Sequence, residues 1–466
     1  MRYFNKKMTA ALIGCLMMSN ISEAAPTEPI PASPAPVVAE APAPAPQRVV
    51  YHPYPGEESA AAPDGSLSLR LTAKKQFYDD YGEFLDTAVN SPKSVNVHPD
   101  GSKYYVNALE AGLTIVYDVK TNKKLAEISH YLDEATDHLW APLSEFYEFT
   151  HYPQDNHFMG KPVEATFSHN GRYLWVPYYR RLYDINAQDP SALAVIDTTT
   201  NKIIRLMETG TLPKMIATSP DETKIAVSCW GDNTIGLIDC HSADPKDWHY
   251  TDKFIVDYQL PLNYSLTVPV DRDNDSGYAL RGTVFTPDNK YLLVGCMGGD
   301  GGIAVVDLTA RRYLGRVMGM MPNVRHLVIK DGWLYLSINA AGYVQRVRLD
   351  KFLAAAVDPN NMCVDSWEEC AVGSGARTIV LSPDGRYIFA ACYGESEIYV
   401  VDSASMQVVT SIGADSFPVG LAISPDGRRL YSTSQGKVNG EGDAVDIYEI
   451  SYGAPNVTKK NQLSAP

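Results

Sequence analysis

Three sets of side chains in this sequence are of types that do chemistry. The first is aromatic and cationic: Trp140, Tyr178, Tyr179, Arg180, Arg181, Trp230 and Tyr393, with His138, His151 and His157 in the stretch between. Tyrosine and tryptophan offer broad amphipathic contact area, and arginine offers paired hydrogen bonds to a carboxylate. Such a set suits a peptide, a glycan or another carboxylated partner. The second set is soft. Cys229, Cys296 and Cys392 recur at one place in a repeating pattern, and Met297, Met318, Met320, Met321 and His326 lie close in sequence to Cys296. Thiolate and thioether ligands select soft ions such as Cu(I), although a recurrent cysteine also serves as a small buried apolar residue. The third set is Asp271, Asp273 and Asp275, spaced as in a calcium loop. The match is partial, because Gly277 is one position late and the twelfth position is Gly282 rather than Glu, so a solvated acidic turn is the first reading.

No Walker loop, His-Glu-x-x-His or Gly-x-Ser-x-Gly pattern occurs. The residues therefore point to binding before turnover, with no obligatory cofactor; calcium or a soft ion are the metals that the ligand types allow. A hydrolase would have to draw on His138, His157, Arg180 and Arg181. Cys363 and Cys370, six residues apart in a polar segment, are placed to form a local disulfide in an exported chain, whereas Cys240 reads as a buried lone thiol.

The elements that must position these residues are written as a repeat. A tetrad of Ser-Pro-Asp-Gly type, flanked by apolar runs, occurs seven times, its fourth positions being Gly101, Gly171, Glu222, Asn289, Gly332, Gly385 and Gly427. In five of the copies a following apolar run ends in aspartate, at Asp118, Asp197, Asp239, Asp307 and Asp402, and leads into another apolar run. The pattern reads as four short strands per unit, with the tetrad as a tight turn and the later aspartate as a turn cap. Four-stranded units of this length, repeated seven times, predict an all-β, seven-bladed β-propeller of four-stranded blades. The last unit offers only three strands, so Ser66–Thr72 is expected to supply its fourth and close the ring.

The tetrads, with runs such as Leu193–Pro213 and Ile379–Pro418, resemble the YVTN-type repeat of exported bacterial β-propellers, over about residues 91–450. The resemblance implies the fold more strongly than any activity, since such propellers include lactonases, redox subunits and scaffolds. A lactonase-like hydrolase or a metal-dependent redox protein is accordingly the alternative to a binding protein.

The two ends are of different character. Arg2, Lys6 and Lys7 precede an apolar run from Met8 to Met18 and a Ser22-Glu23-Ala24 cleavage pattern, which reads as a signal peptide over 1–24. Leu12-Ile13-Gly14-Cys15 also fits a lipobox, making a lipid anchor at Cys15 the one expected route to a membrane. Residues 25–65 read as a disordered spacer; Ala25–Gln47 holds eight Pro and seven Ala in 23 residues. The propeller is expected over 66–452 and a tail over 453–466. The chain carries −15, or −17 once the first 24 residues are set aside, a balance that disfavours nucleic acid. The expected location is the periplasm or cell surface, and the expected partner an envelope protein, peptide or glycan. Because the tetrad turns share one face, the long inserts around His130–Phe158, Tyr178–Tyr183 and Asp271–Asp275 should gather on the other, beside blades one to four, and carry the binding function.

Overall fold

The computed structural model describes residues 51–78, 82–147, 158–182, 184, 186–260, 271, 275–436 and 442–453. Seven antiparallel sheets follow one another as the blades of a propeller, five of them four-stranded. The innermost strands are Pro92–Val97, Thr166–Ser168, Pro213–Thr218, Leu280–Phe285, Val324–Lys330, Ala376–Leu381 and Pro418–Ile423, and each packs beside the next around a central channel.

No single blade can bury both faces of its own sheet, so the core is a ring of interlayers. Between blades one and two, Tyr105, Val116 and Ile128 meet Leu174, Val176 and Ile196. The same arrangement recurs around the ring, ending with Tyr431, Val445 and Ile447 of the last blade against Val95, Tyr104 and Tyr117 of the first. Each enclosed Val, Ile or Leu contributes about 1.5–3 kcal/mol to that stacking.

The tetrads form the turns that their residue types require. Gly101, Gly385 and Gly427 take φ values of 73°, 72° and 73°, while Glu222 and Asn289 occupy the same left-handed position at 57° and 58°. Asp100, Asp221, Asp288, Asp384 and Asp426 each receive the backbone N–H two residues on, as Ser102 N–H donates to Asp100 at 2.8 Å. The aspartates that end third strands cap the next turn in the same way, as with Asp118 and Thr121 N–H at 2.7 Å. In the fifth blade the turn is two residues shorter, one on each side of Gly332, because Lys330 pairs directly with Trp333. Ile338, rather than Asn339, therefore stands where Cys229, Cys296 and Cys392 stand in their blades.

The last blade is completed from the N-terminal side. Leu67–Gln76 pairs along Ala444–Tyr452, and Ser59–Ala61 adds an edge strand beyond it. A buried ionic cluster pins this register. The Lys74 ammonium donates to the carboxylate of Asp415, lies 3.3 Å from Asp446, and all three side chains are enclosed. Burial pulls the Lys74 pKa down, but Asp446 and Asp415 more than offset it, and the net shift is upward.

Two blades carry additions. In blade two, Tyr173–Arg181 runs on past its partner and pairs in its far half with Phe158–Pro162. In blade five, the helix Leu349–Ala356 interrupts the path to the outer strand Glu368–Ala371 and packs Phe352 into the core.

Candidate functional site

The site begins with a backbone irregularity. Six of the seven innermost strands break register just after their first residue, against the start of the tetrad-bearing hairpin. A bulge of this kind leaves a residue outside the ladder and re-aims its side chain. The residues following the strand's first position are Lys93, Lys214, Arg281, Arg325, Arg377 and Val419. In blade two Val163 follows Pro162 in the same way.

Taking a carbonyl out of the ladder leaves it in need of a donor. The neighbouring blade supplies one. Asn107 Nδ2 donates to Val163 O at 3.1 Å, Arg281 to Lys214 O at 3.1 Å, Ser337 Oγ to Arg377 O, and Thr378 Oγ1 to Val419 O at 2.7 Å. The bulges are thus held in place by contacts between blades, and five cations from five blades project toward one axis.

They line a cavity of about 640 Å3 at the channel end where the innermost strands begin, opposite the tetrad turns. Tyr179, Trp230 and Tyr393 share that lining. Lys93, Arg281 and Arg325 are only 8%, 4% and 8% exposed. Lys93 Nζ donates to the neutral amide oxygen of Gln435 at 3.2 Å, and Arg325 donates to the Met297 thioether at 3.3 Å. Arg281 pairs with Glu164 at 3.1 Å. Lys214 Nζ sits 4.0 Å from the Tyr179 ring centroid and 4.5 Å from that of Trp230, and the Arg377 guanidinium lies 3.9 Å from Tyr393. The aromatic faces help to hold the rim cations in place.

The electrostatics follow from this crowding. Burial first, then Arg377, Arg281 and Arg325, push the Lys93 pKa well below its usual range. Burial, then Arg377 and Arg281, act on Arg325 in the same direction. A guanidinium nevertheless stays protonated at neutral pH, so for the arginines the crowding is felt as repulsion rather than as proton loss.

The ten sequence candidates for ligand binding fall into distinct places. Tyr179, Trp230 and Tyr393 reach the cavity together. Tyr178 is enclosed, its hydroxyl 3.0 Å from His130 Nδ1, and burial lowers the His130 pKa to about 3. Arg181 is 1% exposed, with its guanidinium 5.1 Å from the Phe158 ring, and Trp140 packs on the same ring at 5.9 Å. These three side chains build the interior of the insert, because a long segment laid on a blade needs an apolar core of its own. Arg180 is half-buried, donating to Asp184 O and lying 5.7 Å from Tyr179. His138 is exposed on the turn Glu134–Leu139, with a ring nitrogen 2.8 Å from Ala135 O. His151 and His157 lie outside the described residues.

Of the metal candidates, Asp271 and Asp275 are exposed, the Asp275 N–H donating to Asp271 O at 2.7 Å, and Asp273 is outside the described residues. Among the described residues no three His, Cys, Asp or Glu side chains converge as a metal site. Cys229 and Cys296 sit in separate interlayers, Cys392 is buried in blade six, and burial raises all three thiols. The expected Cys363–Cys370 disulfide is not formed; both thiols are free. Cys370 belongs to the outer strand of blade five and turns into its core, while Cys363 bridges to Met318 on the other side of the helical excursion.

The five cations escaped the sequence reading because attention fell on long loops. Their signal was a repeat column, eight residues before the fourth tetrad position, or seven in the shortened fifth unit. Read down the blades, that column is Lys93, Val163, Lys214, Arg281, Arg325, Arg377 and Val419.

No family model matches the chain, and no curated protein matches it. Solved structures do. Kuenenia stuttgartiensis hydrazine synthase is 14% identical with a TM-score of 0.55, over 81% of this chain and 99% of that one. The Cps50 (Swd1) beta-propeller domain of Myceliophteria thermophila is 14% identical with a TM-score of 0.54, over 78% and 97%. Likeness at this identity is likeness of fold, and the class it defines is the seven-bladed β-propeller.

Proposed function

We propose that this chain is an exported cell-envelope propeller of the YVTN-repeat type that acts as a binding or scaffold protein, holding its partner at the channel mouth. The observation that carries the proposal is the cavity into which Tyr179, Trp230 and Tyr393, from three separate blades, open beside five bulge-borne cations. A rigid ring presenting a concave, aromatic and charged mouth is suited to orienting a ligand as well as retaining it. Its carboxylates, Glu164 and Glu110, are each tied to a cation, Arg281 and Lys161, which suits recognition better than proton transfer. The earlier expectation of an insert-centred site on blades one to four narrows to Tyr179 and Trp230, and extends around the axis to blades five and six.

The test is a binding panel of carboxylated peptides and glycans against the full chain. Trp230→Ala should weaken binding at least about tenfold with little change in thermal midpoint. Arg181→Ala should lower the midpoint through the insert core. Lactone turnover that Trp230→Ala abolishes would replace this reading with a hydrolase.

A further inference from the structure

We infer that the channel mouth is a site for a small organic anion carrying several negative charges, carboxylate or phosphate, held between the arginines and lysines of five blades. The inference rests on the reading of the mouth as a binding site and adds the ligand's chemistry. Lys93, Lys214, Arg281, Arg325 and Arg377 face one cavity, and Lys161 stands beside it on Glu110. Glu110 and Glu164 compensate Lys161 and Arg281, whereas Lys93 and Arg325 rest on uncharged partners, so these four buried cations carry an excess of two positive charges.

Lys93, Lys161, Arg281 and Arg325 are each more than nine-tenths buried. Placing like charges out of water is costly unless counter-charge or strong acceptors compensate them. The partners of Lys93 and Arg325, an amide oxygen and a thioether, supply no charge. A neutral sugar in the mouth would leave the excess unchanged, and a single carboxylate would cancel half of it. A ligand bearing two or more clustered charges would match it and would fit a cavity of about 640 Å3. Guanidinium forks and ammonium groups recognise both carboxylate and phosphate oxygens, so the two share one chemistry here.

The basicity is local rather than general. The chain as a whole carries −15, yet this cavity is positive. An anion would meet repulsion over most of the surface and attraction at the mouth, which focuses binding there. The aromatic residues fit the same scheme. Tyr179, Trp230 and Tyr393 carry Lys214 and Arg377 on their faces, so they serve as seats for cations more than as a stacking platform for a sugar ring.

The experiment is calorimetric titration of the full chain with citrate, with pyrophosphate and with cellobiose, at low and high sodium chloride. At least one of the two anions should bind with one-to-one stoichiometry and weaken as salt rises, and the stronger of them names carboxylate or phosphate. Arg325→Gln and, at the half-buried rim, Arg377→Gln should each weaken that anion about tenfold or more. The thermal midpoint of empty Arg325→Gln should be unchanged or higher, an outcome that a merely structural arginine would reverse. The inference is overturned if neither anion binds, or if both variants bind as the parent does. If cellobiose or a neutral peptide binds through Trp230 while both anions fail, the anion assignment falls and the binding site stands. If Trp230→Ala leaves every ligand of the wider panel unaffected, the site itself falls.

Discussion

The propeller buries charge in two places, and the two are built on opposite terms. In the last blade Lys74 lies between Asp415 and Asp446, so a cation removed from water has carboxylates on either side. At the channel mouth Lys93 and Arg325 are also enclosed, but the charges acting on them are largely other cations. The first arrangement is complete within the fold and does structural work: it ties the N-terminal strand into the ring. The second is held by bulges and neighbour-blade hydrogen bonds against its own repulsion. Charge buried in opposition fixes a register, whereas charge buried in like kind stores a demand for something from outside.

The largest effect that would test this contrast is expected at the clamp. Lys74→Met would leave Asp415 and Asp446 buried together without a cation and should destabilise the chain by about 3–5 kcal/mol in urea unfolding. A loss under about 1 kcal/mol would mean the strand is held by sheet pairing and apolar packing alone. At the mouth the sign should invert. Arg325→Gln removes one of several repelling charges, and the empty protein should gain about 0.5–2 kcal/mol in the same measurement. A destabilised variant would place Arg325 with Lys74, as a structural cation.

The pH dependence divides the two lysines further. The Lys74 pKa is raised on folding, so its stabilising contribution is present below its unfolded value and is lost as pH climbs through the folded one. The Lys93 pKa is depressed, so its penalty is full below the folded value and fades as pH rises toward 10.5. Titration of the two side-chain ammonium groups by NMR should show Lys93 deprotonating first, and a saturating multivalent anion should move it upward. The smallest effect is expected from the sulfurs. Because Cys363 and Cys370 are free, a reductant should leave the thermal midpoint unchanged, and a drop of several degrees would reveal a bridge.

Much of this molecule was legible from local residue types. Asp100 and Gly101 had to make a tight turn, since an aspartate accepts the next N–H groups and a glycine tolerates positive φ, and both appear in those roles. Ser66–Thr72 alternates apolar and polar residues, and the strand Leu67–Gln76 takes up the free edge of the last blade. The candidate site was only partly legible. Trp230 and Tyr393 stand immediately after second strands, where repeat position implied the mouth, and they line it. Tyr178 and Arg181, neighbours of Tyr179 with equal claims on paper, turn into the insert instead. Alternation along a strand turns Tyr178 away from Tyr179, and a register shift between Tyr178 and Arg181, which sequence does not show, takes Arg181 out of that alternation.

What the sequence determined by itself was everything that repeats: the turn chemistry, the strand length, the number of blades and the closing strand. These depend on interactions within a few residues or on a pattern written seven times over. What only the tertiary structure decided was where the five cations point. Each is an ordinary basic residue near the start of a strand, and nothing in its own neighbourhood marks it. It becomes part of a site when a bulge turns it out of the ladder, with a neighbouring blade satisfying the exposed carbonyl at Lys214 and Arg377, and ring closure brings five such residues from Lys93 to Arg377 onto one axis. That convergence is a property of the closed ring, because residues hundreds of positions apart acquire a common electrostatic field only once the first blade has met the last.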